Sequence, residues 1–295
     1  MMIRSLFRAA FVLAASLPIA GCGLETQPIV EGRFERVLPA GERAALDVRT
    51  GSGNITVTSG PAGSISIAAR VRGRSRAGRN VEERVRQIEA APPVQQDGGA
   101  IRIGHVADPE LLRDISISYD IVAPADILLV AQTGSGDQRI EGVRGPVAAN
   151  TGSGGITLRN IQMDVSVATG SGNIRGENVG GSFEGRTGSG SIQIDSISGA
   201  VRVRTAAGDI RLDGRPGGNW DVDTTAGSIH VRVPPDSRFE LDARTTAGSV
   251  RVDAPVALVQ SSSRRAGAGM RVRGTAGGGG PRVEISTLAG SIQID

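Results

Sequence analysis

The sequence predicts an all-β fold, a parallel β-solenoid (β-helix) of 18 to 21-residue coils, and three observations carry the prediction. A motif, TGSG or a close variant, recurs along most of the chain. Apolar residues alternate with strand period on both sides of it. The composition favours tight turns over a core of large rings, with 43 Gly against five Phe, one Trp and one Tyr.

The repeat is anchored on a threonine, found at Thr50, Thr133, Thr151, Thr169, Thr187, Thr205, Thr224, Thr245 and Thr287. From Thr133 to Thr205 the step is 18 four times, then 19, then 21, and the last gap of 42 is twice 21. A fixed period near twenty marks a solenoid, in which each coil buries its apolar face only against its neighbours.

Columns define the strands. Four residues before each threonine stand Leu46, Leu129, Val147, Val165, Phe183, Val201, Trp220, Leu241 and Val283. Five after it stand Ile55, Gln138, Ile156, Ile174, Ile192, Ile210, Ile229, Val250 and Ile292. Period-two alternation with β-branched residues means strands with one buried face. The buried parity is even before the threonine and odd after it, so the chain turns a corner inside the motif and each coil carries two main strands. Glycine reaches positive φ and lets a neighbouring backbone approach closely. Gly134, Gly136, Gly152, Gly154, Gly170, Gly172, Gly188 and Gly190 are accordingly read as structural corner residues. Stacked coils place Thr over Thr and Ile over Ile, in parallel ladders about 4.8 Å apart.

Three segments interrupt the repeat. Residues 80–90, NVEERVRQIEA, place Val81, Val85 and Ile88 on one helical face with Glu82 and Glu83 early, and predict a short amphipathic helix. Residues 94–106 predict a hairpin around Asp97-Gly98-Gly99, making 80–106 a helix and hairpin insertion. Residues 261–281, rich in Gly, Arg and Ser, predict a mobile or decorated loop between coils that keep the 21-residue step.

At the front, residues 1–21 have an Arg-bearing start, an apolar stretch from Ala9 to Ala20 and small residues before a cysteine. They read as a secretory signal, too short to span a bilayer. Ile19-Ala20-Gly21-Cys22 resembles the bacterial lipobox, which implies cleavage before Cys22 and a diacylglycerol on its thiol. Cys22 is the single cysteine, so no internal disulfide competes for it. Gly23 follows, where inner-membrane retention usually has Asp, which points to the outer membrane. Residues 22–32 are then a lipidated tether and 33–295 the solenoid.

The charge balance excludes several function classes. All 33 basic residues are Arg, against 30 acids, and the pI near 10.2 reflects how little else titrates. Removing residues 1–21 leaves 31 Arg against 30 acids, which is no footprint for nucleic acid. A phosphate-cradling reading of TGSG needs a following helix, and the nucleotide-binding version needs a Lys; strands follow each corner and the chain has no Lys. Regular calcium loops would place acids at every corner, yet the residue after the motif is acidic only at Asp137 and Asp209, so at most a single opportunistic ion is expected there. His105 and His230 lie apart with no zinc or triad pattern around them.

Two surface features remain. A carboxylate pair such as Asp195 and Asp213 could in type serve a polysaccharide-acting β-helix enzyme, but its column also holds Arg159 and Arg232 and reads as a solvated face. Arg70, Arg72, Arg74, Arg76 and Arg79 form the densest basic stretch. They read as the outer side of a strand running into a loop, or as a contact for anionic lipid or envelope phosphate. No aromatic interleaves them for base stacking, and Trp220 falls in a core column, which weakens a sugar-binding cleft.

The repeated TGSGxI coils, YDIVAPADILLVAQTGSGD at 119–137, PPDSRFELDARTTAGSVRV at 234–252 and the closing GGGGPRVEISTLAGSIQI resemble a bacterial cell-envelope domain family of unknown function labelled "putative adhesin". The resemblance covers roughly 33–295, including the early helix and hairpin, and implies a β-solenoid in the envelope or on the cell surface with no known catalytic role. Two departures stand out: Gln138 occupies an aliphatic column, and Gly176 with Gly185 thins the core of one coil, marking a weak point or contact site. The expectation is a non-enzymatic envelope lipoprotein for surface binding or scaffolding, with no cofactor, metal or nucleic acid, and with an envelope polymer, cell surface or protein as ligand. An envelope-stress regulator acting through a protein partner is the alternative; the polysaccharide enzyme is a more distant one.

Overall fold

The computed structural model describes residues 29–41, 43–74, 80–263 and 269–295. Two long sheets, of 12 and 13 strands, share one apolar core. Each coil gives one strand to each sheet. In a central coil Val147–Ser153 lies in the 13-stranded sheet and Ile156–Ile161 in the 12-stranded one. Stacking is parallel and in register: Thr151 pairs with Thr133 and Thr169, and Ile156 with Gln138 and Ile174. The predicted columns point inward, with Leu46, Leu129, Val147, Ile156 and Ile192 all buried. Trp220, the largest core side chain, satisfies its indole by donating to the Gly199 carbonyl at 3.0 Å.

The corner explains the motif residue by residue. From Thr133 onward each threonine is buried and its hydroxyl donates to a glycine carbonyl of an adjacent coil, as Thr169 does to Gly154 at 2.9 Å and Thr187 to Gly172 at 3.0 Å, whereas Thr50 of the first coil is half-buried and donates to Ile117 O at 2.9 Å. The second glycine has no substitute. Gly172 sits at φ +156°, and a Cβ there would lie 2.0 Å from the Gly154 carbonyl oxygen. The first glycine is a steric requirement of the early coils: a Cβ on Gly170 would lie 2.6 Å from Gly152 O. Later coils replace it with Ala206, Thr225, Thr246 and Leu288 but keep Gly208, Gly227, Gly248 and Gly290.

The coils do not stack in chain order. The strands Trp220–Ala226 and Phe239–Ala247 were expected to be neighbours, 21 residues apart. Between them lies Arg282–Ala289, near the chain's end, paired in parallel with both. The partner sheet repeats the order, with Ile292–Ile294 between Ile229–Arg232 and Val250–Val252. Residues 261–281 are also not simply a loop. Val256–Ser263 and Met270–Ala276 pair antiparallel and extend the 13-stranded sheet outward from Phe239–Ala247 as an end cap. The doubled 42-residue gap is thus occupied by a cap hairpin instead of a missing coil.

The other end has the same design. The first coil, Ala45–Ser52 and Ile55–Gly60, is overlaid on its outer side by Ala100–Ile103 and Ile115–Pro124. Beyond these lie Ser64–Arg74 and the edge strand Ile29–Pro39, both antiparallel. That edge strand takes in Ile29–Gly32, which the sequence assigned to the tether. The helix Val81–Ala90 buries Val81, Val85 and Ile88 as predicted, and the hairpin Val94–Asp97 with Ala100–Ile103 turns at Gly98-Gly99. Glu89 of the helix accepts from the Arg33 N–H at 2.8 Å, blunting the outermost edge.

Both departures have packing solutions. Gln138 is fully inside, with its amide nitrogen donating to Asn150 O at 2.6 Å. Gly176 and Gly185 do not thin the core, because the Phe183 ring fills their space: Cβ atoms there would lie 3.3 Å and 2.7 Å from it. The expected weak point is a packed one.

Candidate functional site

The two outer faces differ in chemistry. On the 12-stranded sheet the outward residues form a charged mosaic, in which Arg159 meets Glu177 at 3.2 Å and Arg232 meets Asp213 at 3.3 Å. Such exposed pairs contribute little energy each, and Arg139, Arg175 and Arg211 face outward among them. Asp195 and Asp213 are register partners on adjacent coils; Asp195 accepts from Gln193 and Asp213 pairs with Arg232.

The 13-stranded sheet is charged toward both ends, with an uncharged stretch between. Its distal half is charged, with Arg202 and Arg204 both on Asp221 at 3.6 and 2.9 Å. At the cap, Asp242 is buried and takes Arg271 in a two-point pair, Nε at 2.8 and Nη2 at 2.5 Å, and Arg273 at 3.3 Å. These guanidinium contacts hold its carboxyl below the usual carboxylate range. Between this charged half and the first coil, where Asp47 and Arg49 face outward as a pair, three coils carry Val130, Ala148 and Ser166 in one outward column and Gln132, Asn150 and Ala168 in the next, with no charge among them.

Where these strands begin, a groove of about 570 Å³ runs across six coils, from Leu128 to Asn219. Five steps of about 4.8 Å make it long and straight. Its near end is mainly aliphatic, with Leu128, Val130, Pro146, Ala148 and Val165 and with Phe183 beneath, while Glu184, Arg202 and Asp221 line the far end. Leu128 is 47% exposed, and Met163, 49% exposed, lies on the turn just before Asp164. The backbone amides at Val147, Val165, Phe183 and Val201 are spent on the carbonyls of Asp164, Ser182, Ala200 and Asn219. Asp164 at the rim is engaged too, accepting from Ser182 N at 2.8 Å. The near end therefore offers apolar contact and little free hydrogen-bonding capacity, and burying it against a partner would release water at about 25 cal/mol per Å².

The residues singled out from the sequence fall elsewhere. Gly134, Gly136, Gly152, Gly154, Gly170, Gly172, Gly188 and Gly190 all lie at the corner. Asp137 and Asp209 are drawn into the ladder, each accepting a backbone N–H of the next coil, from Gly155 at 2.7 Å and Ser228 at 2.8 Å. Arg70, Arg72 and Arg74 alternate outward along one strand, but Arg70 pairs with Asp120 at 3.1 Å and Arg72 with Glu31 at 3.0 Å. Arg76, Arg79 and Cys22 lie outside the described residues. His105 stands 3.2 Å from Asp47, and His230 is 2.6 Å from Asp295. The groove was missed because the columns were read for their inward parity. Leu128 and Val130 have the opposite parity, and an apolar pair at outward positions was its signal.

Among solved structures the chain is similar to a "putative adhesin" from Bacteroides fragilis, at 12% identity and TM-score 0.41, over 90% of this chain and 97% of that one. It is also similar to a "putative cell adhesion protein" from Clostridium sporogenes, at 11% identity and TM-score 0.29, over 89% and 99%. A third, a "putative lipid binding protein" from Parabacteroides distasonis, shares 14% identity at TM-score 0.35, over 89% and 96%. No curated protein matches the chain. The family match covers residues 35–295, both caps and every coil between them, and by it the chain belongs to the Toastrack DUF4097 family.

Proposed function

We propose that the protein is a non-enzymatic, lipid-anchored component of the bacterial cell envelope that docks a surface partner on the uncharged coils of its 13-stranded sheet. The observation that carries this reading is the exposed apolar groove beginning at Leu128, on a chain whose other long face is a charged mosaic. Such a patch on an otherwise polar surface marks a contact site. In this reading Cys22 carries the lipid in the outer membrane, and the residues ahead of Ile29 link it to the first cap. Rigidity suits the task, because a stack of coils presents a straight surface at no ordering cost on binding.

The test uses labelled Cys22→Ser chain on intact cells and on purified envelope polymers, with Leu128→Glu and Ala148→Arg as comparison. Saturable binding that both substitutions abolish, with melting unchanged, supports the groove. Binding that survives them and instead vanishes in Arg70→Ser/Arg72→Ser at raised salt overturns it in favour of the basic strand. One stoichiometric protein band with no binding to cells or polymers favours the regulator. For the anchor, wild-type chain should take up an alkyne-tagged fatty acid and Cys22→Ser should not; equal labelling would exclude attachment at Cys22.

A further inference from the structure

The last coil of the sequence fills a slot between two coils that precede it. In the 13-stranded sheet Val283, Ile285 and Thr287 pair with Trp220, Val222 and Thr224 on one side and with Leu241, Ala243 and Thr245 on the other. The slot is lined with bonding groups on both walls. On one wall the N–H groups of Gly227 and Ile229 donate to Ala289 and Ser291; toward the other, the N–H groups of Gly290 and Ile292 donate to Ala247 and Ser249. Thr287 donates to Gly227 O at 3.1 Å and Thr245 to Gly290 O at 2.9 Å, the same corner bonds that join consecutive coils elsewhere.

Three features make this occupant exchangeable. Its neighbours on both sides are coils that precede it in sequence, so no short inter-coil turn ties it to either of them. It is joined to the cap hairpin through Gly277–Gly280, three of them at φ +57°, +87° and +92°, a connector that redirects easily. Its aliphatic side chains, threonine and positive-φ glycine repeat the pattern of every coil, and the contacts particular to it, Ser286 with Asp223 and Asp295 with His230, are available unchanged to the same coil of a second copy. A segment held by backbone ladders and repeated columns is held equally well when it comes from another copy.

We infer that the gap between the coils of Trp220 and Leu241 is a strand-acceptor site, and that the coil of Arg282–Asp295 from a second copy fills it in trans, giving a reciprocally swapped dimer. The swap keeps every bond of the slot and changes only the path of the glycine connector, so its extent depends on concentration and on the rate at which the coil leaves. The inference is independent of the groove, whose apolar end from Leu128 to Val165 lies on earlier coils.

The test uses full chains carrying Cys22→Ser. Asp223 and Ser286 are register partners across the slot, with Ser286 Oγ 2.5 Å from Asp223 Oδ1. One chain carries Asp223→Cys and a differently tagged chain carries Ser286→Cys. After warming the mixture at high concentration, dilution and oxidation, a one-to-one disulfide dimer is expected. It should be absent when the second chain carries Ser52→Cys, far from the slot. A single chain with both Asp223→Cys and Ser286→Cys, oxidised beforehand, should close internally and lose the capacity to swap. Internal closure without any dimer in the mixed sample overturns the inference. If neither disulfide forms, native mass spectrometry of the Cys22→Ser chain decides: dimer appearing on warming supports the swap, and monomer at every concentration refutes it.

Discussion

Thr287 donates to the carbonyl of Gly227 at 3.1 Å across 60 positions of sequence. The bond is chemically the same as that from Thr169 to Gly154, 15 positions apart at 2.9 Å. Corner chemistry therefore joins whichever coils are adjacent in space, whatever their order in the chain. Several consequences can be measured.

Gly172→Ala should destabilise its coil by roughly 2–4 kcal/mol, since the backbone is left-handed and the obstructing atom, Gly154 O, belongs to a fixed ladder. Gly155→Ala at the corner of the preceding coil meets nothing closer than 3.5 Å and should stay within about 0.5 kcal/mol of wild type. Denaturant unfolding with hydrogen exchange on the flanking coils measures both. Equal effects would mean that the second glycine is not the constrained one.

Thr169→Val keeps the shape and removes one buried hydrogen bond, to Gly154 O. The expected cost is about 1–2 kcal/mol, with faster exchange confined to the adjacent coils. A neutral result would show that the threonine column serves packing alone.

Phe183→Ala should cost about 3–5 kcal/mol, because one ring fills the space of two glycines. Adding Gly176→Ala should recover part of that loss, although in the wild-type background the same change meets Ile194 at 3.1 Å and should be unfavourable. Additive effects in the double variant would contradict the shared cavity.

Acid should loosen the distal end first. The carboxyl of Asp242 is held below its usual range by hydrogen bonding to Arg271, and that of Asp295 by hydrogen bonding to His230. A depressed folded-state pKa gives stability that is complete above the unfolded value, about 4, and is lost as pH falls through the folded one. Exchange protection of the cap hairpin and of Ile292–Ile294 should thus be unaffected by these two carboxyls above about pH 5 and fall in stronger acid. Asp242→Asn should remove the hairpin's share of that dependence and cost about 1–3 kcal/mol near neutrality. An unchanged acid profile in Asp242→Asn would assign the loosening to other groups.

Much of this architecture was legible in the residues. Alternation gave the strands and their buried faces, the parity change across TGSG located the corner, and the spacing of Val81, Val85 and Ile88 gave the helix. These are local properties: a side chain's direction depends on its position within a strand or turn. The candidate site was less legible, since an outward Leu128 is an ordinary surface residue until the flanking coils contribute Pro146, Ala148 and Val165 to one continuous groove. Likewise, the ion pairs of Arg70 with Asp120 and Arg72 with Glu31 join strands distant in sequence.

By itself, then, the sequence determined that this chain winds into coils with threonine and glycine at one corner and aliphatic columns within. Only the tertiary structure decided which coil lies on which, why Phe183 accompanies two glycines, and where an apolar surface remains uncovered. The physical reason is that the columns are nearly alike, so coil-to-coil pairing is almost degenerate along the chain. The caps and the connectors between coils break that degeneracy, and their effect is felt only when the whole stack is assembled.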